Sequence, residues 1–191
     1  MYQKYFTEAL VLSHRERGEA DRVFTLYTRD FGLLRARASG VRNGASKMRH
    51  GLQTFSRVNA ALVKGRRGWR MAGISHIRGT QGSDQKGVRA FARLSALIER
   101  LVGGEEEHTY LFSVLSEAHA SLLQRECPAA PCIELVCAAR ILYALGYLSP
   151  EATESALFTH AAYADEHLRH AEARRDTILA SVNRAIAAAQ L

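Results

Sequence analysis

The sequence predicts an α+β protein in which a small five-stranded β-barrel is followed by an all-α helical bundle. Two observations carry this prediction. Apolar residues alternate with polar ones in several segments of the first 80 residues, and they recur at helical spacing from about residue 82 onward. The charge changes sign at the same place, since residues 1–82 contain 16 Lys or Arg against five Asp or Glu, whereas residues 83–191 contain 10 against 14. We therefore expect a basic domain over residues 1–80 and a helical domain over residues 81–191.

Five short segments of the basic domain have the apolar, aromatic and β-branched content of strands. They are Tyr5–Ser13, Val23–Thr28, Leu33–Ala38, Phe55–Val63 and Trp69–Ile77. Five short antiparallel strands with one long connection, between the third and the fourth, are typical of a Greek-key barrel, and an oligonucleotide-binding (OB) fold fits this layout. An SH3-like barrel or an incomplete sandwich is the alternative that periodicity alone does not exclude.

The helical domain is predicted to contain five helices. They cover Val88–Val102, Thr109–Gln124, Pro131–Leu145, about Glu151 to Ala164, and about Glu166 to Ala189. The first shows the clearest apolar stripe, and the glycines and glutamates that follow it suit the end of one helix and the start of the next. We interpret this half as a bundle that receives protein partners.

The stretch Phe31–Phe55 is basic, contains no acidic residue and includes four glycines, so a strand is expected to lead into a mobile cationic loop. The alternation of the third strand places Arg35 and Arg37 side by side on one face. Cations that track phosphates and aromatic rings that stack on bases are what sequence-independent nucleic-acid binding needs. The candidate DNA-binding residues are Arg35, Arg37, Arg42, Lys47, Arg49, Lys64, Arg66, Arg67 and Arg70, and the candidate base-stacking residues are Tyr27, Phe31, Phe55 and Trp69. The alternatives are a solvated strand face for the arginines and barrel core for the aromatic residues.

Sequence motifs for catalysis, metal binding and membrane insertion are missing. There is no GxxxxGK[ST] loop, GxSxG elbow or HExxH helix, so we expect a protein that is not an enzyme and has no cofactor. Three cysteines and three histidines lack the spacing of zinc ligands and are interpreted as buried thiols and a solvated helix face: Cys127, Cys132 and Cys137, and His160, His167 and His170. No apolar run approaches the ~20 residues of a membrane span, and a cytoplasmic, nucleoid-associated protein is expected.

Several segments of the chain match the motifs of a known protein family. They are EALVLSHRERGEADRVFTLYTRDFGLLRARASGVRN, GLQTFSRVNAALVKGRRGWRMAGISHI and, less specifically, ARILYALGY and SVNRAIAAAQL. The matching positions, in the family's order, are Gly18, Glu19, Asp21, Thr28, Gly32, Gly40, Leu52, Gln53 and Phe55. On these residues the chain resembles the RecO family of bacterial recombination mediators. Many members carry a four-cysteine zinc module after the lGy segment, whereas here Gly146 to Pro150 is expected to lead straight into a helix without metal.

The resemblance implies an OB-fold that binds single- and double-stranded DNA, anneals complementary strands and helps to load recombinase during repair. It implies RecR and the single-strand-binding protein as partners. The acidic, hydrophobic C-terminal tail of the latter is expected on the helical domain, where Arg93, Arg100 or Arg140 would meet its carboxylates. An architectural or RNA-binding OB module without annealing activity is the alternative function, and an enzyme with an unrecognised site is a third.

Overall fold

A computed structural model describes residues 3–44, 46–149 and 157–189 of the chain. The strands are β1 (Lys4–Arg17), β2 (Asp21–Thr28), β3 (Gly32–Ala38), β4 (Arg57–Gly65) and β5 (Gly68–Arg78), and the helices are α1 (Gln85–Leu101), α2 (Thr109–Leu122), α3 (Ala130–Ala144), α4 (Asp165–Ala173) and α5 (Arg175–Ala188). They form two compact units. The barrel unit extends to Gln81 and also includes Val102–Thr109, a segment that the sequence interpretation placed in the helical half; the helical unit comprises Gly82–Leu101 and the chain from Tyr110 onward.

The five strands close into a barrel in the order β1-β2-β3-β5-β4. All neighbours are antiparallel except β3 and β5, which run parallel with Ala36 beside Trp69 and Arg37 beside Arg70. The predicted five-stranded OB-fold barrel followed by helices is therefore confirmed.

Strand alternation explains the barrel core. Leu34, Ala36 and Ala38 of β3 are buried while Arg35 and Arg37 between them are exposed, as the sequence pattern predicts. The interior is filled by aliphatic and aromatic side chains from all five strands, including Val11, Phe24, Leu26, Val58, Leu62, Trp69 and Met71.

The connection between β3 and β4 is anchored to the barrel at both ends. Val41 and Leu52 are buried in the barrel core. The Arg42 amide donates to the Ala20 carbonyl at 3.0 Å, and the Phe55 amide donates to the Val11 carbonyl at 2.7 Å. The ends of this cationic loop are thus fixed by packing and backbone hydrogen bonds, and its exposed basic residues lie between them.

Residues Val102–Thr109 form a strap that packs on the barrel. The Leu33 amide donates to the Gly104 carbonyl at 3.2 Å. A Cβ atom at Gly32, whose φ is +61°, would collide with the backbone carbonyl of Glu106. Glycine at this position therefore serves both the tight turn between β2 and β3 and the close approach of the strap.

The helical unit differs from the prediction in two places. Residues 157–164 are not the second half of a helix, because three of their carbonyls accept hydrogen bonds from Arg140 instead of from amides one turn further along. The predicted start of that helix, at residues 151–156, lies outside the described residues. The predicted last helix is two helices, with the break at Arg174, whose φ is −117° and whose amide donates to the Ala171 carbonyl.

Candidate nucleic-acid interface

Seven arginines line one groove on the outside of the barrel. The groove has a volume of about 480 Å³, and its lining residues are Arg15, Arg17, Val23, Arg35, Arg37, Gly65, Arg66, Arg67, Gly68, Trp69 and Arg70. No acidic side chain is among them. A concave surface with this charge is suited to a polyanion.

The register of the sheet explains why the arginines converge. Arg15 of β1 lies opposite Val23 of β2, Val23 lies opposite Arg37 of β3, and Arg37 lies beside Arg70 of β5. Three arginines and one valine thus form a single row across four strands. Val23 is only 7% exposed, which fits a small apolar floor between long arginine side chains.

Arg15 and Arg17 are groove residues that the sequence interpretation missed. It ended the first strand at Ser13 and assigned the following charged residues to a turn. The structure continues β1 to Arg17, paired with Asp21, and turns the chain at Gly18, whose φ is +63°. The signal that would have found them is the alternation of His14, Arg15, Glu16 and Arg17, which places the two arginines on one face of the extended strand.

The base of the groove is tied to the start of the cationic loop by Asp21. One carboxylate oxygen of Asp21 accepts from the Arg37 Nε at 2.7 Å, and the other accepts from the Gly40 amide at 2.8 Å. The Gly40 bond, with the Arg37 bond next, holds the pKa of Asp21 below its usual value. The side chains of Arg35, Arg66 and Arg67 are exposed and make no ion pair with any residue that the structure describes.

Of the nine predicted DNA-binding residues, the structure brings Arg35, Arg37, Arg66, Arg67 and Arg70 together in the groove. Arg42 donates to the Gly18 carbonyl at 3.2 Å and pairs with Glu16 at 3.4 Å. Lys47 and Arg49 are exposed on the loop and do not line the groove.

Lys64 is adjacent to the groove but is engaged by the strap. Its Nζ donates to Glu105 at 2.8 Å and lies 5.1 Å from the centre of the Trp69 ring. The hydrogen bond from Lys64 lowers the pKa of Glu105.

The predicted base-stacking surface is wrong for two of its four members. Tyr27 is completely buried, and burial raises the pKa of its hydroxyl; Trp69 is 5% exposed. Phe31 is half-buried and packs on Trp69 with ring centres 5.2 Å apart. Phe55, also half-buried, has a φ of +64° and sits at the loop anchor. The Trp69 ring belongs to the barrel core and Phe31 packs against that core, whereas Tyr27 and Phe55 are not among the residues of that core.

Among the predicted partner-binding residues, the structure contradicts the role of Arg140. It is 1% exposed, and its guanidinium donates to the carbonyls of Leu157, Ala161 and Ala162 at 2.8 to 3.1 Å, so it cannot meet a partner's carboxylate. Arg93 is exposed but already forms a two-pronged pair with Glu134, at 2.5 and 2.6 Å.

A separate groove of about 340 Å³ lies in the helical unit between α1, α3 and α5. Its lining residues are Arg93, Leu94, Leu97, Pro131, Glu134, Leu135, Ala138, Arg175, Leu179, Val182 and Ile186. It is mainly apolar with charged residues at its rim. Arg100 is exposed and does not line this groove.

The cysteines are buried and unpaired, as predicted. Burial raises the pKa of the Cys137 thiol to about 12 and that of Cys132 to about 11. Within the described ranges no three potential metal ligands are grouped, although the rings of His160 and His167 are stacked 5.7 Å apart. None of the described helices has the length and apolarity needed to cross a membrane.

A closed OB barrel with a groove lined by arginines defines the barrel unit as an OB-fold module with a strongly cationic surface. Residues 1–81 match the sequence family described as "Recombination protein O N terminal", which agrees with the resemblance to RecO predicted from the sequence motifs.

Curated relatives agree with this match. Proteins named "DNA repair protein RecO" from two strains of Desulfitobacterium hafniense are 44% identical over 62 residues, and one from Bifidobacterium animalis subsp. lactis is 48% identical over 62 residues. These matches cover 32% of this chain and 23 to 26% of the relatives. The similarity thus spans about a quarter of the length of the relatives.

Proposed function

We propose that this chain is a DNA-binding protein of recombinational repair, without enzymatic activity, whose arginine groove holds the phosphates of single- and double-stranded DNA. The observation that carries the proposal is the convergence of seven arginines on one concave face of the barrel. The family match and the names of the curated relatives support a role in DNA repair. In a bacterial cell such a protein would be cytoplasmic and associated with the nucleoid.

The groove is suited to phosphates and not to bases. Arginine can bind a phosphate with two parallel N–H donors. The row across four strands contains three arginines and therefore presents several such donors along one line. Of the aromatic candidates, Tyr27 and Trp69 are buried. Binding should therefore be independent of sequence and strongly salt-dependent.

The same arrangement supports a role in strand annealing. Two complementary strands repel each other through their phosphates, and a cationic groove lowers this repulsion. Since the groove does not stack the bases on open aromatic rings, the bases of a bound strand stay available for pairing. We propose that the chain anneals strands in this way and helps to load recombinase onto DNA coated with single-strand-binding protein.

The helical unit is proposed to receive protein partners. Its groove between α1, α3 and α5 combines an apolar floor with Arg93 and Arg175 at the rim. Such a surface fits the acidic, hydrophobic C-terminal tail of the single-strand-binding protein. A RecR-like protein is the other proposed partner, and binding of either to this chain is tested by titration.

Annealing of complementary fluorescent oligonucleotides tests the proposal. The groove variant Arg35→Glu/Arg67→Glu should lose salt-sensitive binding and annealing together. Its control is Arg89→Glu/Arg125→Glu, which makes the same charge change at two exposed arginines of the helical unit. Retention of annealing in the groove variant, or equal loss in the control, would contradict the proposal.

An architectural or RNA-binding module is the second candidate. It is favoured by the fact that the groove offers phosphate contacts, which do not distinguish the two sugars. Tight binding of RNA and DNA by the wild-type chain, without faster annealing of either, would support this function instead.

A further inference from the structure

Asp21 is an acidic residue that bonds directly to a groove arginine, Arg37. It is 14% exposed and holds two partners with its two oxygens: the Arg37 guanidinium, by a hydrogen bond from Nε and an ion pair with Nη2, and the Gly40 amide. Gly40 has a φ of +64° and begins the cationic loop. The carboxylate therefore joins a groove cation to the backbone of the adjacent loop.

We infer that Asp21 is a positioning residue for phosphate binding, which sets the guanidinium of Arg37 in the orientation that meets DNA. This inference rests on the proposed function of the groove. According to this inference, the Asp21 carboxylate strengthens DNA binding by orienting Arg37, although its negative charge alone would repel the phosphates.

The geometry of the guanidinium shows how one group can serve both anions. Arginine has five N–H donors in a planar fork. Asp21 engages the edge formed by Nε and Nη2. The opposite edge, formed by Nη1 and the second hydrogen of Nη2, stays available for a phosphate oxygen, and the side chain of Arg37 is 44% exposed.

Fixing Arg37 in this way reduces the rotamer freedom that it would otherwise lose on binding. Arg37 lies in the middle of the row from Arg15 to Arg70, so its orientation also sets the spacing of the groove cations. Without the carboxylate, the Arg37 side chain would be free to turn towards solvent.

Asp21→Asn is the informative substitution because it separates the two contacts. The asparagine oxygen can still accept from the Gly40 amide, while its NH₂ group cannot accept from Arg37. Glu19→Gln is the matched control. Glu19 lies in the same hairpin turn, is exposed and has no hydrogen-bonded or ion-pair partner in the described part of the chain, so this change removes the same charge without a contact.

The experiment measures the Kd of the full chain for a fluorescent single-stranded oligonucleotide at several salt concentrations. Glu19→Gln should bind as tightly as wild type or tighter. Asp21→Asn should bind about fivefold more weakly and have a log–log salt slope shallower by about 0.7, the loss of one phosphate contact on a single strand. In an Arg37→Ala background, adding Asp21→Asn should cause no further weakening.

Tighter binding by Asp21→Asn, as in the control, would overturn the inference, and so would equal weakening in the Arg37→Ala background. Arg37→Lys gives a second test should Asp21→Asn fail to fold, because it keeps the charge but lacks the edge that Asp21 holds. It should bind more weakly than wild type, and wild-type affinity would refute the inference. Absence of salt-sensitive binding by the wild-type chain would refute the proposed function itself, and the inference with it.

Discussion

Removal of the Arg140 side chain should detach residues 157–164 from the helical unit. Arg140 is 1% exposed, and its hydrogen bonds to three backbone carbonyls are supplemented by the Tyr163 ring, whose centre lies 4.8 Å from the guanidinium carbon. Arg140→Met keeps much of the apolar volume but leaves the carbonyls of Leu157, Ala161 and Ala162 without their donor.

The magnitude follows from the contacts. A buried group left without its hydrogen bond costs about 1–3 kcal/mol, so three carbonyls give an upper limit of several kcal/mol. Local opening of the segment lets water satisfy them, and we expect a net loss of about 3 kcal/mol in the free energy of unfolding. Arg140→Lys should lie between wild type and Arg140→Met, since an ammonium cannot span all three carbonyls.

Urea unfolding gives the stability change, and hydrogen exchange of peptides over residues 157–164 shows where it acts. We expect exchange to accelerate in this segment, with DNA affinity unchanged. Wild-type stability and unchanged exchange in Arg140→Met would refute the reasoning that Arg140 has a structural role.

Two further predictions concern the barrel turns and the thiols. Gly32→Ala should lower the free energy of unfolding by about 2 kcal/mol or more, because alanine at this position combines an unfavourable φ with a collision against Glu106. Gly18→Ala, with a similar φ but open space around the Cβ position, should lower it by about 1 kcal/mol. Thermal unfolding of both variants isolates the effect of the collision, and equal losses of stability would contradict it. Cys132 and Cys137 should react slowly with iodoacetamide at pH 8 in the native protein and quickly in urea. Native labelling as fast as in urea would contradict the burial of the two thiols. Since burial raises their pKa values to about 11 and about 12, the contribution of the two thiols to the free energy of unfolding should be complete below about pH 9 and lost as the pH rises towards 12.

The parts of the structure that follow from local periodicity could be predicted from the sequence. The five strands and the exposed face of Arg35 and Arg37 follow from an alternation that any sheet must obey. The mobile loop was predicted from composition alone, which cannot show that Val41 and Leu52 pack into the core.

The features that depend on tertiary partners could not be predicted in this way. Residues 14–17 look like a charged turn, and they are a strand because β2 supplies their hydrogen bonds. Residues 157–164 have a composition that suits a helix, but three of their carbonyls accept hydrogen bonds from Arg140. Arg140 is too distant in the sequence for this interaction to be recognised from local pattern. The break at Arg174 has no Gly or Pro to mark it.

The salt dependence of DNA binding tests the central claim most directly. With about six phosphate contacts, a plot of log K against log salt should have a slope of roughly −4 on a single strand. Removing one groove arginine, by Arg35→Ala or Arg67→Ala, should make the slope shallower by about 0.7, whereas Arg125→Ala, outside the groove, should leave it unchanged. A slope that responds equally to all three substitutions, or to none of them, would contradict the assignment of the groove as the DNA-binding surface.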